Sequence, residues 1–91
     1  MGADIIKEVI HAKSREEAET IYWKYPPSGL YFDGDAPIRY TSQYLKFYDE
    51  VFSNVKDALK FLSSKAEKWD KTTHMCKCGE NKYAYVVVFA C

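Results

Sequence analysis

The sequence predicts an α+β fold: a single two-layer domain with helices packed on one face of a mostly antiparallel sheet, in the order β-α-β-β-α-α-β-β. Three observations carry that expectation. A capped amphipathic helix follows a branched apolar run near the start, the middle holds the longest helical periodicity, and the C-terminal segment reads as a tight hairpin. No repeat, charge block or Gly/Ser linker divides residues 1–91, so the whole chain is expected to be one domain.

Asp4 to Ala12 is rich in Ile and Val, whose branched β-carbons favour extended backbone, and predicts a strand. Ser14 followed by Glu17 forms a capping box. Ala18, Ile21, Tyr22 and Tyr25 then recur at helical spacing, so Ser14 to Tyr25 predicts a helix, stopped by Pro26 and Pro27. Leu30 to Phe32 and Ile38 to Thr41 flank Asp33-Gly34-Asp35-Ala36-Pro37 and predict a hairpin of edge strands.

From Gln43 to Trp69, at 100° per residue, Tyr44, Leu45, Phe47, Tyr48, Val51, Phe52, Val55, Ala58, Leu59, Leu62, Ala66 and Trp69 fall on one side. One helix of that length would run about 40 Å, longer than so small a domain is wide, so a break near Ser53 and Asn54 is expected, with Asn54 and Asp57 capping a second helix. Thr72 to Cys78, the turn Gly79-Glu80-Asn81-Lys82, and Tyr83 to Cys91 complete the reading, the last strand being apolar on both faces and therefore central.

With 47% apolar and 29% charged residues the composition is that of an ordinary globular chain. A domain this short buries roughly 60–65% of its unfolded surface, so a deep pocket would compete with the core for the same side chains. Thirteen Lys and Arg balance thirteen Asp and Glu, which leaves no whole-molecule field to steer the chain onto nucleic acid or an anionic membrane. No apolar run is long enough to span a bilayer, and no signal-peptide pattern follows Met1, so a cytoplasmic protein with no membrane partner is expected. Three cysteines, an odd number, argue for reduced thiols.

His74-Met75-Cys76-Lys77-Cys78 places three soft-metal ligands in five residues. A closed zinc site usually takes four, and C-x-C with no second pair falls short, so neither metal nor cofactor is expected. In a regular hairpin Cys76 would face Tyr85, and Cys91 would lie roughly 20 Å off at strand rise. Asp33-Gly34-Asp35 reads as turn chemistry. Lys82 to Phe89 superficially resembles the RNA-recognition-motif signature, but it lacks the glycine and displaces the final aromatic, and no family is assigned from it. His11, His74, the cysteines and the serines form no catalytic motif, so the chain is not expected to be an enzyme.

What remains is an aromatic surplus: eight Tyr, five Phe and two Trp. Such side chains anchor protein interfaces, and Trp23, Tyr25, Tyr31, Tyr40 and Phe61 are the expected contact residues for a protein partner. Phe61 stands out because it projects away from the helical stripe, on the flank of Lys65 and Lys68. Chain size alone suggests a small phage or mobile-element inhibitor of a host protein such as a defence nuclease. The alternatives are a single-stranded nucleic-acid-binding module using exposed Tyr with Lys24, Arg39, Lys46, Lys77 and Lys82, and a small zinc or redox protein using His74, Cys76 and Cys78. Self-association as a homodimer would follow from an over-long helix or a bare edge strand.

Overall fold

The computed structural model of the chain describes residues 3–33, 35–66 and 72–90. The elements run β1 (Ala3–His11), α1 (Arg15–Lys24), β2 (Ser28–Asp33), β3 (Ala36–Thr41), β4 (Tyr44–Val51), α2 (Val55–Lys65), β5 (Thr72–Gly79) and β6 (Lys82–Ala90). A four-stranded sheet has the order β1-β6-β5-β4, antiparallel except for the parallel β4–β5 pair, and β2 and β3 form a separate two-stranded sheet. This is the expected α+β class, and β6 lies centrally.

Both helix starts form as the sequence predicts. The Ser14 hydroxyl accepts from the Glu17 amide at 3.2 Å, and the Asn54 side chain accepts from the Asp57 amide at 2.8 Å. The β2–β3 hairpin also forms, with Tyr31 opposite Ile38. It closes onto the main sheet: a β-carbon at Gly29 would stand 2.8 Å from Phe89 Cδ2, so β2 backbone lies directly against that ring.

Three expectations are corrected. Tyr44 to Val51, read as the first half of a long helix, is the edge strand β4. Tyr, Phe and Val prefer extended backbone. Two register positions are lost against β5 between Phe47 and Val51, and that irregularity blends alternation into something like a helical period. Residues that fell on one helical stripe face opposite ways: Leu45 and Phe47 join one core cluster, Tyr48 the other. α2 is 11 residues long, and no over-long helix occurs among the described residues.

The second correction concerns the layers. Side chains alternate along a strand, and the two clusters divide by that alternation. Met75, Tyr83 and Tyr85 pack with Tyr22, Ala18 and Ile10 beneath α1, while Cys76, Cys78, Ala84 and Val86 pack with Ala58 and Leu62 of α2. The helices therefore cover opposite faces, because β5 and β6 carry buried side chains on both and each face needs its own cover. The third is the register of the last hairpin: Cys76 pairs with Ala84, not Tyr85. A register shift between Lys77 and Gly79 moves the pairing by one, with Gly79 at φ 147 and Asn81 at φ 59.

Candidate interaction surfaces

The aromatic residues expected at a contact surface do not form one patch. Trp23 and Tyr25 close the C-terminal end of α1, 51% and 70% exposed. Trp23 is held by an edge-on contact with Tyr22 at 4.8 Å, and Lys24 Nζ lies 5.6 Å from the Tyr25 ring. Tyr22 itself is anchored: its hydroxyl meets Ser42 Oγ at 2.6 Å and Thr73 Oγ1 at 3.0 Å, and donates to the Tyr44 carbonyl at 3.2 Å. Ser42 Oγ and Thr73 Oγ1 are 2.7 Å apart, so three buried hydroxyls tie α1 to the starts of β4 and β5. Tyr44, which the sequence reading did not single out, follows this anchor and is 61% exposed. Its assignment to a helical stripe hid it. Tyr31 and Tyr40 lie on β2 and β3, and their side chains fall outside the described residues.

Phe61 belongs to the opposite face. It is half-buried, not projecting free, because β4 supplies a wall that the helical reading did not contain. Its ring stands perpendicular to Tyr48 at 5.4 Å and tilted against Phe52 at 5.2 Å. Tyr48 in turn leans on the buried His74 ring at 5.8 Å, and its hydroxyl is 2.9 Å from His74 Nδ1. Lys46 Nζ lies 5.2 Å from the Tyr48 ring centre and Lys65 Nζ 5.4 Å from that of Phe61. Lys46 and Lys65 are exposed, and the Tyr48 and Phe61 rings beneath them are half-buried.

His74, Cys76 and Cys78 share the α2-side face of β5, yet they are core residues: all three are buried, the two cysteines almost completely. Burial pushes the Cys76 thiol up to about 11, helped by Cys78 and Glu50, and burial likewise raises Cys78 against the opposing pull of Lys82. Raised thiols hold their protons, the reverse of what a metal ligand or redox nucleophile needs. No group of three or more His, Cys, Asp or Glu placed to hold a metal occurs among the described residues. Of Asp33-Gly34-Asp35, the Asp33 side chain and Gly34 fall outside the described residues, and Cys91 does too. Among the described residues there are open depressions, one of about 450 Å³ lined by Ser14, Arg15, Glu16 and Glu19 and another of about 280 Å³ with His11, Lys13, Glu17 and Glu80 in its lining. Arg15 and Glu19 in the first are paired with each other at 3.0 Å.

No helix among the described residues is long and apolar enough to cross a membrane. No family model, no curated protein and no solved structure matches the chain.

Proposed function

We propose that this domain is non-catalytic and acts by binding another protein, with the C-terminal end of α1 as the contact. One observation carries the reading: Trp23 and Tyr25, the first braced by Tyr22, are both more than half exposed at a helix end that is itself pinned by three buried hydroxyls. Large aromatic side chains on a rigid support lose little conformational freedom on docking, which is why Trp and Tyr dominate interface energetics. Tyr44, at the strand start that the same hydroxyls hold, extends the apolar area. A small phage or mobile-element inhibitor of a host protein such as a defence nuclease is a setting suited to a domain of this size. Free, protonated Cys76 and Cys78 fit a reducing cytoplasm.

A photo-crosslinking amino acid placed at Trp23 or Tyr25, and at Lys56 on α2 as control, tests this in the native host. The expected outcome is one adduct of common mass from positions 23 and 25 that is absent from position 56. Equal labelling at all three, or none, would overturn it.

A further inference from the structure

We propose that the Tyr48–Phe61 step on the α2 side of the sheet is a second, independent binding site, whose ligand is single-stranded nucleic acid. The two rings stand 5.4 Å apart between two exposed ammonium groups, Lys46 over Tyr48 and Lys65 over Phe61. Each ring is backed, Tyr48 by the buried His74 and Phe61 by the half-buried Phe52, and the two rings meet edge to face, so they are held in place while a lysine side chain lies over each. A flat base displaces an ammonium from such a face by stacking, and the released lysine reaches the adjoining phosphate; the ligand therefore has to supply a π-face and an anion at short repeat, which a single strand does at every nucleotide. A duplex hides its base faces and cannot use the step.

Carboxylates stand close to the two lysines. Asp57 accepts from the Asn54 amide at 3.0 Å and keeps its charge, and Glu50 is near enough to raise Cys76, which lies on this same face of the sheet. Asp49 is exposed on β4 as well, so the two lysines act as point contacts and not through a net positive field, and the binding is expected to be weak.

The test is fluorescence anisotropy with a labelled oligothymidylate of roughly 12 nucleotides, inside the usual single-strand site size, against a duplex of equal length. Binding to the single strand is expected, with a log–log salt slope near about −1.4 for two phosphate contacts, halved in Lys46→Ala or Lys65→Ala. Tyr48→Ala is expected to weaken binding about 5- to 150-fold. Both lysine changes leave the core untouched, so their effect is separable from unfolding. Duplex binding as tight as single-strand binding, a response blind to Lys46→Ala and Lys65→Ala, no saturation at millimolar protein, or preference for an acidic Tyr-rich peptide would each overturn the proposal. None of these outcomes bears on Trp23 and Tyr25, which lie across the sheet.

Discussion

At the residue scale, the buried hydroxyl group of Tyr22 is the most exacting feature. Three hydroxyl protons serve three oxygens and the Tyr44 carbonyl within 3.3 Å, so removing one member breaks bonds for the others. Tyr22→Phe keeps the ring in its cluster and is expected to cost about 1–3 kcal/mol in urea denaturation, with Thr73→Val adding much less than its own single effect. Cys76 makes a different demand. Its thiol has an ordinary value of 9.0 and is held at about 11 in the fold, so the unfolded chain loses this proton first. Stability from this group is full below pH 9 and drains away as pH rises towards 11, at a slope that one proton limits to about 1.4 kcal/mol per pH unit. Urea midpoints across that window are expected to fall, and to fall less steeply in Cys76→Ala.

At the element scale, what was legible in the sequence was what local chemistry decides. Ser14 and Asn54 announced their helices because a cap is a bond between residues three apart, and the central strand declared itself because Tyr83 to Phe89 is apolar at every position. β4 was not legible: its identity depends on pairing with β5, far along the chain, and its irregular register spoils the alternation that would have revealed it. The same gap misplaced Phe61, whose wall is β4, and concealed Tyr44. The contact of β2 with the main sheet was equally hidden, because it is a matter of what a glycine lacks. Gly29→Ala is expected to destabilise by about 1–3 kcal/mol, since Phe89 is 3% exposed and its ring has no room to retreat. Thermal melts should show the loss, and Phe89→Leu in the same chain should return part of it, a non-additivity that a purely local backbone effect would not give.

At the scale of the whole molecule, an open four-stranded sheet covered on both faces has its edges left as the place where copies could meet. The edges differ. β4 loses register against β5 between Phe47 and Val51, which bends and twists a strand away from flat pairing. β1 keeps a continuous register with β6 from Ala3 to His11, and Ile5, on the same strand face as Lys7 and Val9, is 55% exposed. Lys7 interrupts that row of apolar side chains, and an edge lysine opposes the docking of another strand by having to stay solvated. Lys7→Val would make Ile5, position 7 and Val9 one apolar strip on the regular edge. Sedimentation velocity is expected to show concentration-dependent self-association for Lys7→Val and none for Lys46→Val, which makes the same exchange on the irregular edge. Equal association of both variants would mean that added hydrophobicity alone drives it and that edge regularity does not decide where this sheet can grow; no association of either would show that Lys7 is not what keeps β1 unpaired.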